Sequence, residues 1–324
     1  MNKTHFLFLL FSFLFFSCTK KSDNSPQKVA GKINTISVII DDQLWNGEVG
    51  DSIRNKFASP VIGLTEEEPL FTINQYPAKL MEGFMTDGRT IIVIKKEEEN
   101  EFSVKKNQYA SPQNVFHISG KTSTDILKII EINAPKIIQT IKETEITENQ
   151  RIISQSLLNT KTITNKFHIS LKIPKGYFYV LQENNFVWLK KEITSGNTSI
   201  LIYQVPISSI KKEPNAIANI IKMRDSIGNL YISGTEPNTR MITEEGYAPY
   251  LFKIKLDGKE TYETKGTWEL KNDFMSGPFI NYAIVDEEHD RILVLEGFCY
   301  SPSKEERDLV HELESIIKSI VILK

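Results

Sequence analysis

The chain has 324 residues, 39 of them basic and 41 acidic, for a formal charge of −2 with no dominant basic block. That balance excludes a nucleic-acid footprint, which concentrates Lys and Arg on one surface, and equally a polybasic patch for anionic lipid. The length is enough for two ordinary hydrophobic cores.

The N-terminus reads as an export signal. Lys3 precedes an apolar run at residues 6–16 that contains only Phe, Leu and one Ser, and Ser17 stands directly before Cys18. A spanning helix needs about 20 apolar residues, so this shorter run fits a cleaved signal peptide and not a retained anchor. A small residue before a cysteine is the layout of a bacterial lipoprotein signal, although Phe15 and Phe16 depart from the commoner residues there. Residues 1–17 are expected to be removed, Cys18 to be acylated, and residues 18–34 to form a lipidated flexible tether. Two or more acyl chains, at roughly 0.8 kcal/mol per buried methylene, hold a protein on a membrane without any spanning segment. Thr19 follows the cysteine where an inner-membrane retention signal has Asp, and residues 20–23 lack an acidic export cluster. The expected location is the periplasmic face of the outer membrane.

Two domains are expected, at 35–150 and 160–324. In the first, Thr35–Ile40 reads as a buried strand and Trp45–Phe57 as a short helix ended by Pro60. Strands at 70–73, 90–95, 102–105 and 115–119 are expected to complete an antiparallel set. Thr122 and Asp125 then form a near-capping box for a long helix. Its stripe is Ile126, Ile130, Ala134, Ile137 and Ile141, and Pro135 is expected to kink or divide it. The stretch 143–166 is polar and marks the boundary.

In the second half, residues 167–173 read as a strand ended by Pro174, and strands follow at 186–191 and 199–205. A helix is expected from Asn215 to Ile227, with Pro214 at its start and Gly228 as its stop. Strands at 240–244, 250–256, 260–270 and 279–285 come next, with Asp257-Gly258 as a hairpin turn. Cys299 lies in the final strand on the face of Leu293 and Leu295, as a small buried hydrophobe with no disulfide partner once Cys18 is acylated. Ser303 and Glu306 read as a capping box for a terminal helix with a wide apolar face from Leu309 to Ile320. The fold class is therefore α+β, two domains, each an antiparallel sheet packed by amphipathic helices.

Several segments carry a resemblance. The run from Lys265 to Tyr282, then Leu295-Glu-Gly-Phe-Cys-Tyr-Ser-Pro302 and the terminal helix, resembles the family called domain of unknown function 4837. Glu67-Glu-Pro-Leu-Phe71 and Ser111-Pro-Gln-Asn114 fit it as well, so the resemblance covers most of the chain after the signal. It implies an uncharacterised lipoprotein of bacteroidete bacteria with no assigned activity or catalytic residues. At fold level, residues 167–324 are also similar in arrangement to the PsbP and Mog1 proteins.

No catalytic motif stands out. His117, His168, His289 and His311 are not at metal-ligand spacing, and no Gly-x-Ser-x-Gly elbow, phosphate-binding loop or dinucleotide fingerprint occurs. Neither a metal nor a cofactor is expected. Glu66-Glu67-Glu68 lacks the oxygen spacing of a calcium loop and reads as a solvated turn. The candidate binding loop is Asn272, Asp273, Phe274 and Met275, with Trp268 and Tyr282 expected nearby, because apolar residues at a hairpin tip can contact a partner. Three readings stay open. The leading one is a non-enzymatic binding or assembly module, membrane-held through Cys18, with an envelope protein as partner. The others are an envelope hydrolase using Asp273, His289 or Glu296, and a glycan-binding lipoprotein stacking sugars on Trp268 and neighbouring tyrosines.

Overall fold

The computed structural model describes residues 27–80, 83–210 and 215–323. The signal run, Cys18, most of the expected tether and Pro214 lie outside these residues.

The first half is built on a five-stranded sheet. Its elements are β1 (Thr35–Ile39), α1 (Glu48–Phe57), β2 (Thr72–Tyr76), β3 (Thr90–Lys96), β4 (Glu101–Lys106), β5 (Asn114–Gly120) and α2 (Ser123–Ile153). The sheet order is β2-β1-β3-β5-β4. Three of its pairings are parallel and only β4 with β5 is antiparallel, which corrects the expected antiparallel set. The physical reason is legible in β3. Thr90 to Ile94 are all buried, and strands covered on both faces are the mark of parallel sheets with crossover connections. Residues 70–71 are not in the ladder either, since their amides donate to the Ser59 and Phe57 carbonyls at the end of α1.

Helix α2 opens with the expected capping box, Thr122 accepting from the Asp125 amide while the Asp125 carboxylate accepts in return. Its stripe from Ile126 to Ile141 is fully buried against the sheet and α1. Pro135 does not divide the helix. The residue is exposed, as are its neighbours Glu131 and Lys136, so the hydrogen bond it forfeits falls on the solvent side, where water compensates. The polar stretch 143–166 is largely helical, and Glu145 inside it is fully buried.

The second half is an eight-stranded antiparallel sheet, as expected. Its elements are α3 (Lys161–Phe167), β6 (Phe178–Glu183), β7 (Phe186–Ile193), β8 (Gly196–Pro206), α4 (Ala216–Tyr231), β9 (Arg240–Thr243), β10 (Tyr250–Leu256), β11 (Lys259–Lys271), β12 (Ser276–Asp286), β13 (Arg291–Tyr300) and α5 (Arg307–Ile317). The order is β9-β11-β12-β13-β8-β7-β6, with β10 pairing the other stretch of β11. The edge strand β6 has no counterpart among the expected strands. The expected strand at 167–173 shrinks to Ile169–Ser170, which pairs with Val321–Ile322.

Each face of this sheet holds its own core. Alternation along β13 sends Leu293, Leu295 and Cys299 to the α5 side and Ile292, Val294 and Phe298 to the α4 side. Helix α5 approaches closely at Gly297, where an added Cβ would lie 2.8 Å from that of Leu313. Gly228 is not a stop: α4 runs on to Tyr231, and a Cβ there would sit 2.5 Å from the Met241 carbonyl oxygen. Val310, Leu313, Ile316 and Ile317 line the buried face of α5, each contributing roughly 1.5–3 kcal/mol. The helix also packs on α2, so it joins the two halves.

Candidate functional site

The β11–β12 hairpin ends in a tip that is built, not loose. The Leu270 amide donates to the Met275 carbonyl at 2.8 Å and the Asp273 amide to the Leu270 carbonyl at 3.0 Å. Asn272 takes a left-handed conformation at φ 68°, and its side-chain amide donates to the Asn238 carbonyl at 3.1 Å. The Asp273 carboxylate accepts the Phe274 amide at 2.7 Å. This bonding leaves the Phe274 side chain wholly in solvent, with a relative exposure of 103%, while Met275 packs partly against the α4-side core. An aromatic ring held outward on fixed backbone contributes nothing to packing at that point.

Phe274 lines a cleft of about 550 Å³ together with residues 65–69 of the first half and residues 300–306 of the second. Glu306, directly before α5, lines it too. The expected Ser303–Glu306 capping box is not formed: the helix begins at Arg307, and no side chain of its own caps it. Glu68 does so instead, its two carboxylate oxygens accepting the Glu306 and Arg307 amides at 2.5 and 3.0 Å. A carboxylate is favourable there because it satisfies orphan N–H groups at the positive end of the helix dipole. Glu68 is buried, which corrects the reading of Glu66-Glu67-Glu68 as wholly solvated. Arg307 completes the clasp by donating to the Pro69 carbonyl at 3.0 Å and the Thr72 hydroxyl at 3.1 Å.

The cleft is acidic. Glu66, Glu67, Glu68, Glu305 and Glu306 line it, and Lys304 is the one cation among the described residues in its wall. Glu306 accepts the Thr65 hydroxyl, and burial, reinforced by the neighbouring Glu68 charge, pushes its carboxyl above the usual carboxylate range.

The other expected site residues are dispersed. Trp268 is buried on the α4 side and donates its indole N–H to the Cys299 carbonyl at 3.0 Å. Tyr282 is fully buried in the opposite core, its hydroxyl donating to Glu263 at 2.5 Å. An aromatic platform of Trp268 and Tyr282 is therefore not formed. Asp273, His289 and Glu296 do not converge either. His289 sits at the far end of β12, its Nδ1 2.9 Å from the Asp286 carboxylate, and Glu296 is paired inside the sheet with Arg224 at 3.0 Å. Cys299 is fully buried, and burial raises its thiol pKa far above the usual range, so it is an inert packing residue.

Among the histidines, His168 is not in a strand. It ends α3 at φ 51° and stacks its ring on His289 with centroids 6.0 Å apart. Sequence spacing gave no sign of this meeting. His117 does lie in β5, with Nε2 2.8 Å from Gln108, and burial followed by Lys105 and Lys95 lowers its pKa. Among the described residues no three His, Cys, Asp or Glu side chains are placed to hold a metal ion, and no helix is long and apolar enough to cross a membrane.

The model of the family described as a domain of unknown function (DUF4837) matches residues 156–319, half of the chain. The chain belongs to this family. Its DUF4837 region carries the hairpin and the cleft wall of residues 300–306, while residues 29–154, with the Glu68 cap, match a second domain of unknown function (DUF8532). No curated protein matches the chain. Among solved structures, the Ran-binding protein Mog1p of Saccharomyces cerevisiae is 10% identical over 48% of this chain and 90% of its own, with a TM-score of 0.32. Human StAR-related lipid transfer protein 5 is 6% identical over 54% of this chain and 97% of its own, with a TM-score of 0.25. The Mog1 resemblance thus stands as a weak likeness over about half of the chain.

Proposed function

We propose that this protein is a lipid-anchored component of the cell envelope, held through Cys18, that acts as a non-enzymatic binding or assembly module for another envelope protein. The observation that carries the binding role is Phe274, fully exposed on a hydrogen-bonded hairpin tip that lines the cleft between the two halves. Rigid placement lowers the entropy lost when such a ring is covered, and aromatic anchors of this kind dominate interface energetics. The layout around Cys18 supports the anchor, and the periplasmic face of the outer membrane is the location it favours.

Two measurements test the reading. Metabolic labelling with an alkynyl fatty acid should mark the chain and should fail to mark a Cys18→Ser variant, which should also leave the membrane fraction. A photo-crosslinking phenylalanine analogue at position 274 should give a discrete adduct in intact cells. The same analogue at Ile132, exposed on α2, serves as the control and should give none. An unlabelled wild type removes the anchor, and indistinguishable patterns from 274 and 132 remove the binding site.

A further inference from the structure

The cleft has a definite chemical character, and resting on the binding reading above, we infer that its occupant is an extended, arginine- or lysine-bearing segment of the partner protein. The two buried carboxylates of the cleft are already engaged, Glu68 by the Glu306 and Arg307 amides and Glu306 by the Thr65 hydroxyl. Glu66, Glu67 and Glu305 are different: all three are exposed, and none has an ion-pair partner among the described residues. They come from two separate segments, one before Pro69 and the other before α5, and Phe274 lines the same cleft.

This arrangement selects a polypeptide over a small cation. A divalent ion needs oxygens converging on one point, and no such group is present among the described residues. A cleft of about 550 Å³ is also far larger than an ion requires. Long basic side chains suit it better, because their methylene stems lie along apolar surface while the charged heads reach the carboxylates. Arginine suits it best. Its planar guanidinium can pair bidentately with a glutamate and stack on the face of Phe274.

The test uses the full-length chain in detergent and fluorescein-labelled peptides of alternating leucine with arginine, lysine or glutamate. The arginine peptide is expected to bind more tightly than the lysine peptide, and the glutamate peptide to show no binding. A Glu66→Gln, Glu67→Gln, Glu305→Gln variant should bind the arginine peptide about tenfold more weakly and with a flatter salt dependence. Phe274→Leu should erase the preference for arginine over lysine while keeping the preference for cations. Equal affinity for the arginine and glutamate peptides, unchanged affinity in the triple variant, or displacement of the peptide by equimolar spermidine overturns the inference. Any of these does so even when the crosslink from position 274 gives its discrete adduct, whereas loss of that adduct strikes the binding reading itself.

Discussion

Two buried glutamates on opposite faces of the second sheet end with pKa values displaced in opposite directions. Glu296, on β13, is completely buried on the α4 side, where it meets the Arg224 guanidinium and the Asn281 amide at 2.8 Å. Burial nevertheless raises its pKa, with Asp225 adding to the shift, because one cation does not repay full desolvation. Glu314, on α5, keeps 19% of its side chain in contact with solvent and meets two ammonium groups, Lys265 and Lys318. Burial alone would raise it too, but the two lysines prevail and hold it at about 2. Both helices pack through apolar residues, but α4 adds a fully buried ion pair that carries a desolvation penalty, whereas α5 adds a partly exposed salt bridge.

The sharpest way to break the comparison is to remove the buried partner of Arg224. Glu296→Ala leaves the guanidinium inside the sheet face with the Thr243 hydroxyl and the partly exposed Asp225 carboxylate at 3.7 Å, and should cost about 3–5 kcal/mol in urea unfolding. The double change Arg224→Met with Glu296→Leu should recover most of that loss, since no charge then remains buried. If the double variant is as unstable as the single one, the pair is a net stabiliser and the contrast drawn here fails.

The second effect is the pH dependence. Glu314 has a folded pKa depressed to about 2, so its contribution is present above its unfolded value and lost as pH falls through the folded one. Relative to a Glu314→Gln variant, the wild type should lose roughly 3 kcal/mol between about pH 6 and about pH 2. Glu296 has the opposite sign. Its folded pKa is raised, so the fold loses stability as pH rises from the unfolded value through the folded one. Urea midpoints of the two single glutamine variants, followed against pH, should therefore diverge from the wild type in opposite senses.

How much of this was legible follows from the range of each signal. The stripe of α2, the apolar face of α5 and the Tyr250–Leu256 strand with its Asp257-Gly258 turn are local patterns, and each appears where its period places it. The parallel sheet was legible in principle, since Ile91 to Ile94 form an unbroken apolar run suited to burial on both faces. Two features were not. Gly228 sits inside a helix because of the Met241 carbonyl on another element, and the cap of α5 comes from Glu68, 238 residues earlier. A capping box at Ser303 and Glu306 fits the local pattern well, but a buried carboxylate from the other half occupies the amides it would have used. At the candidate site, the exposure of Phe274 followed from its place at a hairpin tip. The burial of Trp268 and Tyr282 on opposite faces followed from register.

Glu68 supplies a third carboxylate for comparison, one whose partners are amides and not cations. Glu68→Ala should cost about 1–2 kcal/mol, the usual worth of an N-terminal cap, and Glu68→Gln less, because one oxygen still accepts. The change should also raise amide hydrogen exchange in the first turn of α5 while leaving α4 unaltered. Equal exchange increases in both helices would mean that the two faces of the sheet are not independent.

The smallest expected change in stability belongs to the most exposed side chain. Phe274→Ser removes a ring that touches solvent on all sides, so unfolding free energy should stay within about 0.5 kcal/mol of the wild type. Met275 is the proper contrast. It packs partly on the α4-side core, and Met275→Ser should destabilise measurably where Phe274→Ser does not. A residue that can be lost without cost to the fold, yet is held outward by its neighbours' hydrogen bonds, fits the anchor proposed above for a partner. With the photo-crosslinking analogue moved to Ser303, which also lines the cleft, the yield should therefore fall for Phe274→Ser in proportion to lost affinity and not to lost folded protein. A parallel fall in thermal stability would instead make Phe274 a packing residue, and the cleft would lose its anchor.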